Sequence, residues 1–155
     1  MKTEQHLQED LLYAWMEMSV FIRGNRILAD LSFNEVMICG LLYRRQKTDT
    51  PLTATELGER TNLLKSQINH ILNAMEQRGL IERTRSATDK RVVYVRLSEK
   101  GRERYTREHT AVMEILKGVY EEFGSEKTRE LTAMLKKATA IVNGHMDLKA
   151  TSKEN

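Results

Sequence analysis

Lys65, Ser66, Gln67, Asn69, His70 and Asn73 are the side chains of this sequence best suited to reading another molecule's hydrogen-bonding pattern. They sit within the stretch KSQINHILNAMEQ. Wound at about 100° per residue, that stretch puts Ile68, Ile71, Leu72 and Met75 on one stripe. Ser66, Asn69, His70, Asn73 and Gln77 gather on the opposite side, roughly 180° away. The apolar stripe needs a core. The polar side is made of short donors and acceptors of the kind that fit base edges in a DNA groove: Asn and Gln can bond adenine bidentately, and Lys or a protonated His can donate to guanine. Lys65 and the helix N-terminus could equally meet phosphate, which positions a protein without specifying sequence. For His70 the alternative is a histidine exposed to solvent.

The residues after this helix concentrate cations. Residues 53–96 hold eight cations and five anions, a net +3 that equals the net charge of the whole 155-residue chain. Residues 1–52 sum to −1 and residues 97–155 to +1. A local basic patch is the footprint expected for phosphate contact, although a solvated charged face would look the same on charge alone. Enzyme classes find little support: no glycine-rich phosphate loop, metal cluster or nucleophile–base pairing is present. His6, His70, His109 and His145 are dispersed, so no metal or other cofactor is expected. The single cysteine, Cys39, rules out an intramolecular disulfide and fits a reducing compartment. With no run near the roughly 18 apolar residues of a membrane span and no apolar signal core, the expectation is a soluble cytoplasmic protein with no membrane partner.

The elements that must position these residues are mostly helical. Residues 4–29 place Leu7, Leu11, Trp15, Met18 and Ile22 at helical spacing. Ser32-Phe33-Asn34-Glu35 is a capping box opening a second helix to about Arg45, nearly apolar along MICGLLY and therefore expected at the centre of the core. Thr53 and Glu56 form another capping box after the loop QKTDTP, starting a short helix that ends near Thr61-Asn62. The two-faced helix then runs from about Lys65 to Gln77, with Gly79 fitting its C-terminal cap. Leu80–Arg85 and Val92–Leu97 read as the strands of a hairpin, with Val93, Val95 and Leu97 on one face. Ser98 caps a long helix to about Phe123 with Tyr105, Val112, Ile115, Leu116 and Val119 as inner positions. After Gly124-Ser125 a last helix reaches about Met146 through Leu131, Met134, Leu135, Ala138, Ile141 and Val142. The remaining polar residues, 148–155, are expected to be a disordered tail. Broad apolar stripes at both ends of the chain point to packing against a second copy, with packing inside one chain as the alternative.

Taken together, these motifs resemble the MarR family of bacterial winged helix-turn-helix transcription regulators over roughly residues 7–145. Asp89-Lys90-Arg91, then Leu97-Ser98 and Gly101, match the family's D-x-R-x5-L-[TS]-x-x-G signature. Glu76-x-x-Gly79-Leu80-Ile81-x-Arg83 matches E-x-x-G-L-[IV]-x-R, and Thr55-Glu56-Leu57-Gly58 matches the start of the helix-turn-helix. The sequence departs from the pattern at Leu64, where many members carry a Ser or Thr N-cap; Leu cannot accept the free backbone N–H groups, so a helix start at Asn62 is the alternative.

The resemblance implies a mainly α fold with a small β-hairpin wing: a winged helix lobe over 31–98, with dimerisation helices over 4–30 and 99–147. It also implies a homodimer on a palindromic operator in double-stranded DNA, most often as a repressor, released in many members by a small aromatic or lipophilic effector. Arg83, Arg85, Lys90 and Arg91 join the DNA-binding residues, with Arg91 matching the wing-tip arginine that enters the minor groove. Asp89 is expected to hold a wing arginine in place. The helices carrying Trp15, Met18, Met37, Cys39 and Tyr43 would line the effector crevice, though such residues at helical spacing also serve as plain core. A buried mid-helix thiol such as Cys39 tends to be inert rather than redox-sensing. A winged helix used only for protein–protein assembly is the competing reading; it would need neither the polar stripe nor the cationic wing.

Overall fold

The computed structural model describes residues 3–23, 28–48 and 50–151. Eight elements follow in order: α1 (Glu4–Arg23), α2 (Phe33–Gln46), β1 (Leu52–Thr53), α3 (Ala54–Thr61), α4 (Lys65–Gln77), β2 (Ile81–Arg85), β3 (Val93–Leu97) and α5 (Glu99–Thr151). The chain divides into two units, Met1–Val112 and Met113–Asn155.

In the first unit, α2, α3 and α4 pack against a three-stranded antiparallel sheet of order β1-β3-β2. The hairpin register pairs Ile81 with Leu97 and Arg85 with Val93, while Leu52 pairs with Val95. Ile38, Cys39, Leu42, Leu52, Leu57, Ile68, Leu72, Met75 and Val95 make up the fully buried centre. As the run MICGLLY requires, α2 is central. Both expected capping boxes form: Ser32 Oγ accepts the Glu35 N–H at 3.3 Å while Glu35 accepts the Ser32 N–H at 2.8 Å. Thr53 and Glu56 do the same at 3.2 and 2.8 Å. The Thr53 N–H, as the largest cause, holds the Glu56 carboxyl below the ordinary carboxylate range.

Several expectations are corrected. The first helix was expected to reach residue 29, but Leu28–Leu31 are not helical; residues 24–27 lie outside the described part. The reason is visible at Glu108, whose buried carboxylate accepts the N–H groups of Ala29 at 3.0 Å and Asp30 at 2.7 Å. Strand β1 was not anticipated between the loop QKTDTP and the Thr53 cap. Its two residues are too few to show a period, and only the neighbouring edge of β3 makes them a strand. Strands β2 and β3 begin at Ile81 and Val93, one residue later than expected. The alternative start of α4 at Asn62 is excluded: Asn62 is the left-handed C-cap of α3, with φ 55°, and α4 begins after Leu64.

Within α5 the helix breaks at Gly124 (φ 72°, ψ 175°), a conformation open to glycine alone. The break falls where Gly124-Ser125 indicated it. Helix continues to Thr151 rather than ending near Met146, so residues 148–151 of the expected tail are helical, and 152–155 lie outside the described residues. In the second unit, most apolar positions read as inner are at the surface: Ile115, Leu116, Met134, Leu135 and Ile141 are exposed within this single chain, and Leu131 is half-buried. No helix among the described residues is long and apolar enough to cross a membrane.

Candidate nucleic-acid interface

Helix α4 presents its two faces as its sequence dictates. Ile68, Leu72 and Met75 are buried against the lobe, whereas Lys65, Ser66, Gln67, Asn69, His70 and Asn73 are all exposed. Not all six are equally free. Gln67 Oε1 accepts the Leu64 N–H at 2.9 Å, the reverse half of a capping box whose forward half Leu64 cannot supply. Asn73 Oδ1 accepts a hydrogen bond from Arg83 Nη2 at 2.9 Å, and Arg83 Nη1 lies 3.5 Å from Glu76. Two members of the expected reading set are thus engaged at home, while Lys65, Ser66, Asn69 and His70 make up the open part of the face. Sequence reasoning missed both: the Asn73–Arg83 tie crosses from helix to strand and needs the hairpin's position, whereas the Gln67–Leu64 bond is local and L-x-x-Q was its signal.

The wing is assembled from short-range polar turns. Ser86 Oγ accepts the Thr88 and Asp89 N–H groups, each at 3.3 Å, and the Val92 N–H donates to the Asp89 carbonyl at 3.0 Å. Asp89 was expected to hold a wing arginine in place. Its Oδ1 accepts the backbone N–H of Arg91 at 2.9 Å, within the turn that carries this arginine. Arg85, Lys90 and Arg91 are exposed; Arg83 is half-buried against α4.

The end of α4 is stitched to the start of α5, and this explains the L-S-x-x-G motif. Ser98 Oγ accepts the Gly101 N–H at 3.0 Å as N-cap and donates to the Gly79 carbonyl at 2.6 Å. The Ser98 N–H donates to the Leu80 carbonyl at 3.0 Å. A Cβ on Gly101 would stand 1.9 Å from that same Leu80 oxygen, so only glycine lets the backbones cross this closely. Lys100 Nζ adds a bond to the Arg78 carbonyl at 2.7 Å. On the other side Arg78 is ion-paired to Glu35 at 2.5 Å and donates to the Asp30 carbonyl at 2.9 Å. Asp30 in turn pairs with Arg104 and Arg107 of α5. Helix α4 is therefore held at its C-terminal end from two directions.

The five candidate effector residues are not brought together. Trp15 and Met18 are exposed on α1, and Met37 is exposed on α2. Cys39 is fully buried, and burial, reinforced by Glu35 and opposed by Arg78, pushes its thiol from the ordinary 9.0 up to about 12. It cannot touch a ligand unless the core opens. Tyr43 lines a cleft, an open space of about 630 Å³ shared with Arg102, Glu103, Thr106, Arg107 and Thr110. Its ring lies 5.2 Å from that of Tyr105, which in turn lies 5.6 Å from His109.

Comparison with known proteins agrees with this geometry. Residues 27–107 match the family model described as transcriptional regulator SarA/Rot. The homoprotocatechuate degradative operon repressor of Escherichia coli is 29% identical over 92 residues, covering 59% of this chain and 62% of that protein. The HTH-type transcriptional regulator MhqR of Bacillus subtilis is 34% identical over 71 residues, 46% of each chain. The chain thus spans about 62% of the length of the first of these relatives. Among solved structures, the repressor CouR bound to a 23-mer DNA duplex superposes with a TM-score of 0.73 at 24% identity, covering 90% of this chain and 99% of that one. PcaV of Streptomyces coelicolor, in complex with its natural ligand, gives 0.70 at 14% identity, covering 90% and 97%. Both likenesses are of fold.

Proposed function

Because the chain belongs to the SarA/Rot family of transcriptional regulators, built on the MarR-type winged helix, we propose that it is a homodimeric, sequence-specific DNA-binding repressor released by a small aromatic or lipophilic effector. The observation that carries this reading is the open polar face of α4. Lys65, Ser66, Asn69 and His70 stand exposed opposite the buried Ile68, Leu72 and Met75, with Arg85, Lys90 and Arg91 exposed on the adjoining wing.

In this reading α4 lies in the major groove, where Asn69 and His70 meet base edges and Lys65 meets phosphate. Arg91, presented by the Asp89 turn, enters the neighbouring minor groove, whose negative potential is strongest over narrow A·T-rich sequence. Asn73 and Arg83 act as one bonded unit that fixes the wing against α4. The exposed apolar row of α1 and the exposed apolar positions of the second unit support association with a second copy. Two-fold symmetry then requires half-sites about 34 Å, or one helical turn, apart. For the effector, Tyr43 with Arg102 and Arg107 offers an aromatic and cationic lining suited to a carboxylated aromatic.

Selection of bound duplexes from a random pool, followed by hydroxyl-radical footprinting, tests the reading. The expected result is an inverted repeat with centres about 10 bp apart and an affinity that falls steeply with salt. Failure to enrich any sequence, or a single unsymmetrical half-site, overturns it.

A further inference from the structure

Leu64 occupies the N-cap of the proposed recognition helix, yet it neither caps nor packs. Its side chain is 69% exposed, the highest exposure of any large apolar residue in the lobe formed by α2–α4 and the sheet among the described residues. An N-cap is normally where a hydroxyl or carboxamide repays the free N–H groups of the first turn. Here no N-cap side chain accepts them, and Gln67 supplies only the reverse half of the box, its carboxamide oxygen accepting the Leu64 N–H at 2.9 Å. Leu64 also borders a cleft of about 490 Å³ between α3 and α4, whose other walls include Ala54, Gly58, Leu63, Lys65 and Asn69. An apolar side chain thus projects at the end of α4 that carries Lys65, on the rim of a cleft it shares with Asn69.

We infer that Leu64 is a specificity-determining residue that packs on the C5-methyl group of a thymine in the operator, and that Gln67 is a positioning residue for the helix end rather than a base reader. The inference deepens the proposed function and rests on it. Among the groups that distinguish one base pair from another in the major groove, the thymine methyl is the apolar one; the others are hydrogen-bond donors and acceptors. An exposed leucine at the groove-facing end of α4 is the side chain chemically matched to that group. Asn69, on the same cleft, supplies the complementary half of A·T recognition through a bidentate bond to adenine. Lys65 next to Leu64 holds the phosphate backbone close enough for contact. The same residue that weakens the cap therefore adds base discrimination, and Gln67 compensates at the backbone.

The test uses the full chain and the duplex enriched from the random pool, with each thymine replaced singly by deoxyuridine, which removes only the methyl. For the unaltered protein one thymine per half-site should lose affinity about three- to five-fold on replacement, the worth of one buried methyl. Leu64→Ala should bind the thymine duplex correspondingly less well and show no further loss with deoxyuridine. Leu64→Ser supplies the missing cap acceptor, so it keeps or raises the melting temperature while losing the methyl sensitivity just as Leu64→Ala does; this separates base contact from helix stability. An enriched site without thymine, a protein indifferent to every deoxyuridine, or a Leu64→Ala variant that retains the full deoxyuridine loss overturns the inference while leaving the DNA-binding reading intact. Failure to bind any enriched duplex overturns both.

Discussion

At the residue scale, the interface separates side chains that meet a partner from side chains that hold those in place. Arg91 belongs to the first kind. It is exposed, and Asp89 secures it through the backbone N–H at 2.9 Å, leaving the guanidinium uncommitted to that carboxylate. Arg91→Ala should lower affinity for the enriched operator by about 1–3 kcal/mol; an unchanged gel-shift titration removes Arg91 from the interface. Asp89→Ala should act in the same direction through a loosened wing turn. Cys39 stands at the other extreme. With its thiol pushed up to about 12 by burial, almost none is thiolate at neutral pH, and the thiolate is the reactive form. Native protein should bind DNA equally before and after millimolar peroxide and resist alkylation until denatured. Since the folded state keeps its proton more tightly than the unfolded chain, this group's contribution to stability is intact below about pH 9 and fades as pH climbs toward 12.

At the element scale, the junction of α4, β2 and α5 bears the most constraint. The Leu80 carbonyl accepts the Ser98 N–H while lying where any Cβ on Gly101 would be, 1.9 Å away. Gly101→Ala must push the backbone of Leu80 aside, and forced overpacking of this kind typically costs about 1–3 kcal/mol. Urea denaturation should show a lower midpoint with the slope unchanged; an unaltered midpoint means the junction is looser than the geometry indicates. Because Leu80 lies two residues past the α4 C-cap, Arg78, the same substitution should weaken operator binding with no DNA-facing side chain altered. Element boundaries set by local chemistry were legible in the sequence: the Ser32 and Thr53 capping boxes, the left-handed turn at Gly79 and the break at Gly124 all depend on residues within one turn of themselves. Boundaries set from afar were not. The first helix could not be seen to stop before Leu28, because the carboxylate that takes the Ala29 and Asp30 N–H groups is Glu108 on α5.

At the scale of the whole molecule, the long apolar rows are the outstanding feature. On α1, Leu7, Leu11, Trp15 and Met18 are each more than half exposed. Surfaces of this kind on a protein in water mark interfaces, and a homodimer would cover them. Sedimentation equilibrium should return a dimer at micromolar concentration, and Leu11→Asp should shift it toward monomer and abolish high-affinity binding to the two-half-site duplex. A monomer of the unaltered chain at that concentration would leave the rows without their partner and contradict the two-fold site.

The sequence alone determined the helical periods, the caps, the polar and apolar faces of α4 and the position of the charge, because each is a property of neighbours a few residues apart. Its motifs placed the chain among the winged helix regulators, and Leu64 already stood out as a misfit at the expected cap. Tertiary structure decided what those residues are free to do. It tied Asn73 to Arg83, buried Cys39 beyond reach of a ligand, turned Leu52-Thr53 into a strand, and left Leu64 exposed at the helix end. Hydrogen-bond partners and burial depend on which distant segments meet, and that is fixed only when the core closes.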